Sequence, residues 1–360
     1  MRPHLGFIAG LAALLACSSG PSGGSDGGMD ASMSTESGGD VTTPSDTGTT
    51  DTGSDGGESL TAFPSTSTMY QDISGAAVDS QWATISQELA GGWGNNFQLD
   101  PSFTVLYADP SVARRSFTQP MSALPDCDTA PVPIPQGGNV EGYPDYDCPN
   151  AGDDCHLLVF QGTRLYEMYH GSITGGQATG GTFTGSCLAV WDLTHDYWQP
   201  TTPFSRGDGC NGADAADLPL SPLLLKKAEI AAHLITHAMR FTINNPLIDN
   251  TYYVHPATHL GGSGTPMVTI PYGARLRLKS SFDVTTLATP EAQAVAVALQ
   301  TYGMFLADGG NFFVSATTDI TDVIDTHALA ALVPANFEMV DGGTRYDFHQ
   351  QTCTRTSISN

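Results

Sequence analysis

The chain has 360 residues and carries 37 Asp and Glu against 13 Lys and Arg, a formal net charge of −24. Such an acidic chain without a basic cluster lacks the electrostatic footprint of a nucleic-acid-binding protein, so we expect no nucleic-acid partner. Its length suits one large β domain or two small domains, each with room for a real core.

The N-terminus has the layout of an exported lipoprotein. MRPHLGFIAGLAALLAC has a basic start at Arg2, an apolar run over residues 5–16 and then Cys17. The run is too short for a membrane span and resembles a bacterial lipobox, so residues 1–17 are expected to be a signal peptide ending at a lipidated Cys17. An ordinary signal with a chance cysteine is the alternative. Since Ser18 replaces the Asp that retains some lipoproteins at the inner membrane, we expect an outer-membrane or cell-surface location.

Residues 18–60 are Gly, Ser, Thr and Asp in loose repetition, with eight acids and no Lys or Arg. Such a segment cannot bury enough apolar surface to offset its ordering entropy, so it is expected to be a disordered tether with a reach of about 35 Å. The remaining residues, 61–360, are expected to form a single β-sandwich domain. We expect a monomer that meets the membrane only through its lipid.

Six cysteines remain once the predicted lipidated one is set aside: Cys127, Cys148, Cys155, Cys187, Cys210 and Cys353. An even number in an exported chain indicates up to three disulfides, and the sequence leaves all fifteen connectivities open. The cysteine pattern is typical of an oxidising compartment.

Strand patterns dominate the folded part. In chain order they are FTVLYAD, CHLLVF, RLYEMYH, CLAVWDL, HAMRFTI, TYYVHPA, ARLRLKSSFDV, YGMFLAD, NFFVSAT and NFEMV. All are short, rich in aromatic or β-branched residues, and bounded by turn residues. Two helices are predicted, SPLLLKKAEIAAHL from Ser221 and TPEAQAVAVALQTYG with Thr289 as N-cap and Gly303 at its end. The fold class is therefore predicted to be all-β dominated, a jelly-roll-like antiparallel β-sandwich with two short appended helices.

Several of these stretches together resemble an uncharacterised family of secreted, mostly bacterial proteins. RLYEMYHG, ADAADLPLSPLLLKKAEI, HAMRFT, YVHPATH, ARLRLKSSFDV and YGMFLADGGNFFVS are similar to the family patterns LYELY, SADAAGLPLLPGL, HALRFT, WPARH, RLKASFDI and YGMILADNGS. The similarity runs from about Phe103 to Val340. This chain departs from the pattern at Asp217, which stands for a glycine, and at His255 and Thr258. The resemblance implies the extent of the domain and a choice of residues, and it implies no reaction.

Two acids lie beside aromatic residues on predicted strands. Glu167 shares a strand face with Tyr169, and Asp192 lies next to Trp191 in a stretch that continues to Trp198. Aromatic rings stack on sugar faces while a carboxylate pair moves protons, so this pattern favours a glycoside hydrolase. The alternatives are a solvated Glu167 on a surface strand, and an Asp192 that shapes a turn with Thr194.

The Gly-rich loop GDGCNGADAADLPLSP holds Asp208, Asn211, Asp214 and Asp217. Several loop oxygens can hold Ca²⁺, although the EF-hand spacing is absent and capping is the more ordinary role of such acids. We predict no metal or other cofactor, with Ca²⁺ as the open alternative. Asp214, which lies inside the matched ADAA, is the candidate catalytic acid of this loop.

His233 and His237 are four residues apart, which invites a zinc site with His255 or His259. The HExxH arrangement is missing, and the helix is expected to give way to a strand between the two histidines. The favoured interpretation is that His237 or His259 donates a proton or a hydrogen bond to a carboxylate.

The stretch GARLRLKSSFD alternates strictly, with Leu276 and Leu278 on one face and Arg275, Arg277 and Lys279 on the other. This basic face is predicted to pair with Glu167, Asp192 or Asp308, or to grip the carboxylates of a uronate polymer. The alternative is an edge strand protected by its charges.

These observations predict a surface-tethered carbohydrate-active protein, a glycoside hydrolase acting on a polysaccharide. The predicted catalytic residues are Glu167, Asp192, Asp214 and His237. The predicted substrate-binding residues are Tyr169, Trp191, Trp198, His259, Arg240, Arg277, Lys279 and Asp308. The alternatives are a polysaccharide lyase on a uronate polymer, and a non-catalytic carbohydrate-binding or adhesion module.

Overall fold

Short strands make up most of the regular structure in the computed structural model, which describes residues 62–150, 152–197 and 206–359. The predicted lipidation site Cys17, the tether and Trp198 lie outside the described residues. The strands are β1 Leu99–Phe103, β2 Val105–Tyr107, β3 Arg114–Arg115, β4 Val132–Pro133, β5 His156–Gln161, β6 Arg164–Tyr169, β7 Ser172–Ile173, β8 Phe183–Thr184, β9 Cys187–Asp192, β10 Met239–Ile243, β11 Ile248–Val254, β12 Ile270–Tyr272, β13 Arg275–Leu278, β14 Met304–Gly309, β15 Phe313–Thr317, β16 Phe337–Val340 and β17 Arg345–Asp347. The α-helices are α1 Trp82–Glu88, α2 Lys227–Ala231 and α3 Pro290–Thr301.

The sheet-dominated fold class with few short helices is confirmed. A six-stranded sheet has the order β1-β15-β10-β14-β13-β16, a four-stranded sheet the order β2-β5-β6-β9, and a three-stranded sheet the order β12-β11-β17. The strand pairing is mixed rather than wholly antiparallel, because β1–β15, β10–β14, β2–β5 and β11–β12 are parallel pairs. Parallel neighbours require long crossovers, and the connection from β10 to β14 contains α3.

The four-stranded sheet is covered on both faces. Leu158, Leu165 and Trp191 belong to the main hydrophobic core, whereas Val159 and Tyr166 belong to a second core on the opposite face. A strand covered on both sides is apolar throughout rather than alternating, which explains the run HLLVF. An acid on either face of this sheet is therefore removed from water.

Helix α3 agrees with its predicted bounds, since Thr289 accepts a hydrogen bond from the Ala292 amide and Gly303 follows with a φ of +67°. Helix α2 is much shorter than predicted. A short 3-10 helix, Ser221–Leu223, is followed by an extended Leu224 and by Leu225, which forms a parallel bridge to Ala316, so the predicted helix is interrupted before α2. A left-handed His233, with a φ of +52°, follows the end of α2. Among the described helices, none has the length and apolar composition needed to cross a bilayer.

Three disulfides form, which is the number that the cysteine count allowed. They join Cys127 to Cys187, Cys148 to Cys155, and Cys210 to Cys353, with sequence separations of 60, 7 and 143 residues. The last bond fixes the C-terminal segment against the Gly-rich loop that precedes α2.

Candidate functional site: an acidic cavity at strand ends

A polar cavity of about 220 Å³ lies where the start of β5, the end of β6 and the end of β14 meet the Gly-rich loop. Its lining comprises Asp154, His156, Tyr169, Asn211, Gly212, Ala213, Asp214, Ala215 and Asp308. The volume is below the ~300–1,000 Å³ of sites for drug-sized ligands, so it suits a single monosaccharide-sized group. The structure thus brings together four predicted site residues: Tyr169, Asp214 and Asp308 in the lining, and Arg240 behind it.

Arg240 organises the wall of this cavity from β10. Its Nε donates to Asp214 Oδ1 at 2.8 Å, its Nη1 to Ser315 Oγ at 2.8 Å, and its Nη2 to Asp308 Oδ2 at 3.2 Å. Its side chain is buried, and the planar fork of a guanidinium can reach several acceptors at once. Arg240 therefore positions the two acids from a buried place behind the residues that line the cavity.

Asp214 supports the wall of the cavity rather than its opening. Its side chain is fully buried, and its Oδ2 accepts from the amides of Ala216 and Leu218, both at 3.2 Å. Burial raises the pKa of Asp214, and the charge of Arg240 offsets part of that rise. The carboxylate caps the turn of the Gly-rich loop, which is the ordinary role that its sequence context allowed.

Asp308 and Asp154 are the carboxylates that solvent reaches. The side chain of Asp308 is 25% exposed and that of Asp154 is 65% exposed. Asp308 Oδ1 accepts from the Gly309 amide at 2.7 Å. Burial raises the pKa of Asp308, the charge of Arg240 and the Gly309 amide oppose that rise, and the negative charge of Asp154 adds to it. The two acids thus face one cavity from different environments, a buried one and a solvated one.

His156 is a site residue that the sequence analysis missed. Its Nδ1 lies 2.6 Å from Glu141 Oε2, and its Nε2 lies 3.0 Å from the carbonyl of Ala213 in the cavity wall. Burial lowers the pKa of His156, but the hydrogen bond and charge of Glu141 outweigh it and bring the pKa to about 9. The ring is therefore an imidazolium at neutral pH, and it donates from both nitrogens.

The sequence held a signal for His156. Gly162 and Thr163 form a two-residue hairpin connection between β5 and β6, which pairs Gln161 with Arg164 and therefore His156 with Tyr169. The rings of His156 and Tyr169 lie 5.5 Å apart. Glu141 and Asp154 lie in irregular segments, so no periodic pattern pointed to them.

Tyr169 gives the cavity an exposed ring. Its side chain lies at the last position of β6, and the residue is 38% exposed. Burial raises the pKa of Tyr169, and the charges of Asp154 and Asp308 raise it further. The tyrosine thus lines the same cavity as the two reachable carboxylates.

Glu167 lies in the interior, away from the cavity. It accepts hydrogen bonds from Trp191 Nε1 at 3.0 Å, from the amides of Leu220 and Ser221 at 3.0 and 2.7 Å, and from Ser221 Oγ at 2.9 Å. Both oxygens are occupied, and the side chain is inaccessible to solvent. Glu167 therefore ties the segment before α2 to the sheet, and Trp191, which is equally buried, presents no face to a sugar.

The predicted pair of Glu167 and Asp192 does not form. Glu167 is opposite Ala189 in the register of β6 and β9, so the odd-numbered residues of β9 share its face and Asp192 points to the other. Asp192 Oδ1 accepts from the amide and hydroxyl of Thr194, at 2.9 and 2.7 Å. It shapes a turn, as the alternative interpretation held.

The histidines have separate partners. His237 is buried between Glu229 Oε2 at 3.1 Å and the Ala238 carbonyl at 2.8 Å, and His233 contacts Glu291 at 3.2 Å. His255 contacts Asp208 at 2.8 Å, and His259 packs edge-on against Phe348. The hydrogen bond from His237 to Glu229 is the kind of carboxylate contact that was predicted, but it supports the end of α2 instead of a cavity.

The basic face of β13 is used inside the fold. Arg275 donates to the carbonyls of Thr68, Gln71 and Tyr302, and Arg277 pairs with Glu338. Lys279 Nζ donates to the Ala335 carbonyl at 2.8 Å, beside a separate, largely apolar cavity of about 580 Å³. Strand β13 lies between β14 and β16, so it is not an edge strand. This placement fits neither the predicted contact of these residues with the carboxylates of a uronate polymer nor the alternative of an edge strand protected by its charges.

The acids of the Gly-rich loop also diverge. Asp217 accepts from Arg206 at 2.7 Å and from Thr258 at 2.8 Å, while Asp208 accepts from Tyr253 and His255. In the part of the chain that the structure describes, the group that brings three potential ligand atoms within 4.8 Å of one another is Cys148, Cys155 and His170, and its two sulfurs form a disulfide. The loop oxygens therefore do not converge on a Ca²⁺ position.

Comparison of this chain with protein-family models, with curated proteins and with solved structures finds no match. The site must accordingly be interpreted from its own chemistry.

Proposed function

We propose that the protein is a carbohydrate-active enzyme, a glycoside hydrolase that binds one sugar unit of a polysaccharide in the acidic cavity. The observation that carries the proposal is the pair Asp308 and Asp154, two solvent-reachable carboxylates that face one monosaccharide-sized cavity from unlike environments. Acid and base roles in glycosidases are assigned from two carboxyl groups in unlike environments, and burial raises the pKa of Asp308.

Asp308 is the general acid in this proposal. Because burial raises its pKa, a fraction of Asp308 stays protonated in weakly acidic solution and can transfer its proton to the glycosidic oxygen as the C–O bond breaks. Asp154, whose side chain is 65% exposed, takes a proton from the attacking water. The hydroxyl of that water joins the anomeric carbon, and the proton given up by Asp308 leaves on the departing sugar.

The neighbouring residues supply positioning. Arg240 donates to both Asp308 and Asp214, and His156 contacts the Ala213 carbonyl in the wall through its Nε2. Tyr169 offers a ring edge or face to the sugar C–H groups. The lyase alternative loses its support, since the basic residues of β13 bond to the protein itself.

A lipid-anchored position at the cell envelope belongs to the same proposal. It rests on the N-terminal pattern ending at Cys17 and on the polar segment 18–60. A net charge of −24 also disfavours a nucleic-acid partner.

The test incubates the full chain with a panel of neutral, amino and acidic polysaccharides and measures new reducing ends together with the ultraviolet absorbance of unsaturated uronates. Asp308→Asn should lower turnover by about 10²–10⁴-fold, the usual contribution of a general acid, with binding retained. Asp192→Asn, at a turn outside the cavity, is the matched control and should keep activity.

Equal turnover in Asp308→Asn would remove the acid from its assigned role. Unsaturated ends would select the lyase. Absence of any product, with one polymer bound by both the wild type and Asp308→Asn, would select the non-catalytic binding module.

A further inference from the structure

The acidic cavity has more carboxyl groups than cations in its lining and immediate wall. Asp154, Asp214 and Asp308 line it, and Glu141 lies directly behind His156. Against these four carboxylates stand two cations, Arg240 and His156. Solvent reaches two of these carboxyl groups, those of Asp154 and Asp308, whereas both cations are almost completely buried.

Neither cation is available to a ligand. His156 uses Nδ1 for Glu141 and Nε2 for the Ala213 carbonyl. Arg240 donates to Asp214, Ser315 and Asp308, is only 3% exposed and does not line the cavity. Among the described residues, no Lys or Arg side chain lines the cavity. An anionic ligand would therefore meet carboxylates without a partner for its own charge, which is a strong element of rejection.

The carboxylates, in contrast, have acceptor capacity that points at solvent. A carboxylate has about four lone-pair sites, and Asp308 uses one oxygen for Gly309 and the other for Arg240. Asp154 is 65% exposed, and its contact within 4 Å is His156 Nδ1 at 3.8 Å. An ammonium group supplies three donors and a positive charge, which complements the exposed carboxyl group of Asp154.

We propose that the cavity selects a sugar unit that carries a free ammonium group, as in a 2-amino-2-deoxyhexose, and rejects uronates. The proposal names the substrate class of the site described above and so rests on the proposed function. Tyr169 at the rim and a volume that suits one pyranose favour a sugar over an extended lysine side chain. A lysine-bearing peptide remains a competing occupant that the experiment must separate.

The experiment measures the affinity of the full chain for four methyl glycosides that share one ring, namely a glucosaminide, a glucoside, an N-acetylglucosaminide and a glucuronide, by titration calorimetry at pH 6. The glucosaminide should bind about tenfold more tightly than the glucoside, because a tenfold ratio of affinities corresponds to a modest electrostatic gain in binding free energy. The glucuronide should bind more weakly than the glucoside. An Nα-acetyl-lysine methylamide is the probe for the peptide occupant.

Asp154→Asn should reduce the preference for the glucosaminide over the glucoside to about twofold or less, because it removes the most accessible charge. The matched control is Glu88→Gln, an exposed acid on α1 that does not line the cavity, and it should leave the preference unchanged. A second measurement needs no variant: above pH 9 an amine with a pKa of about 8 is neutral, so the preference of the wild type should disappear.

Equal affinity for glucosaminide and glucoside would overturn the inference, as would lysine methylamide binding at least as tightly as the glucosaminide. The two proposals can fail separately. Turnover of a neutral polymer without a preference for the ammonium-bearing sugar would support the proposed hydrolase and contradict the proposed selectivity. A preference for the glucosaminide without turnover of any polymer would support the proposed selectivity and contradict the proposed hydrolase.

Discussion

Trp191 donates its indole Nε1–H to Oε2 of Glu167 at 3.0 Å, across neighbouring strands in the interior of the protein. The two residues are diagonal neighbours on one sheet face, since Leu165 is opposite Trp191 and Glu167 is opposite Ala189. The aromatic ring and the acid that suggested a sugar groove are thus partners in a buried structural contact. The candidate chemistry lies elsewhere, at the ends of the strands.

Glu167→Gln should lower the free energy of unfolding by about 3 kcal/mol. The carboxylate accepts four hydrogen bonds. In a glutamine side chain one of the two accepting oxygens is replaced by an NH₂ group, which is a donor and would face the N–H and O–H donors that contact Glu167. Urea denaturation measures the loss. Asp192→Asn, on the exposed turn, should cost less than about 1 kcal/mol. A Glu167→Gln protein of wild-type stability would contradict the structural role.

Arg240→Lys should destabilise the protein by about 2–4 kcal/mol although it keeps the charge. An ammonium cannot reach Asp214, Ser315 and Asp308 at once, so buried acceptors are left without donors. Thermal and urea unfolding both report the change. Lys227→Arg, at an exposed pair with Asp322, is the control and should be nearly neutral. Equal losses of stability from Arg240→Lys and Lys227→Arg would contradict the role of Arg240 in organising the cavity wall.

Stability should depend on His156 in a defined pH window. Its pKa rises from 6.5 in the unfolded chain to about 9 in the fold, so its contribution is fully present below pH 6.5 and is lost as the pH rises through 9. The difference in unfolding free energy between wild type and His156→Gln should therefore shrink by about 3 kcal/mol from pH 6 to pH 10. Taking the difference cancels the titration of the buried aspartates. A gap that widens with pH would show that the ring is neutral.

The disulfides should differ in their value to stability. In the chain-entropy description, closing 143 residues between Cys210 and Cys353 contributes about 5 kcal/mol, and closing 7 residues between Cys148 and Cys155 contributes about 2 kcal/mol. Paired serine variants of each bond, compared by urea denaturation, test the order. A larger loss of unfolding free energy from removal of the Cys148–Cys155 bond would indicate that this bond also maintains native contacts, in addition to its effect on chain entropy.

Local patterns predicted the elements well where backbone chemistry decides. Thr289 and Pro290 set the start of α3, and the two residues between Gln161 and Arg164 fix the register of the β5–β6 hairpin. The predicted helix at Ser221 was too long, because tertiary pairing of Leu225 with Ala316 overrode the helical spacing of its leucines.

The sequence by itself determined that strands dominate and that six cysteines pair, and it singled out Tyr169, Asp214, Arg240 and Asp308, which the structure brings to one cavity. Only the tertiary structure decided which acids meet water. Glu167 is buried because the segment of Leu220 and Ser221 and the main core cover its face of the sheet, and the cavity gathers Asp154, His156 and Asp308 from segments more than 150 residues apart in the chain. Strand spacing sets which face a side chain takes, whereas long-range packing sets whether that face is dry or wet, and short-range periodicity carries no information about it.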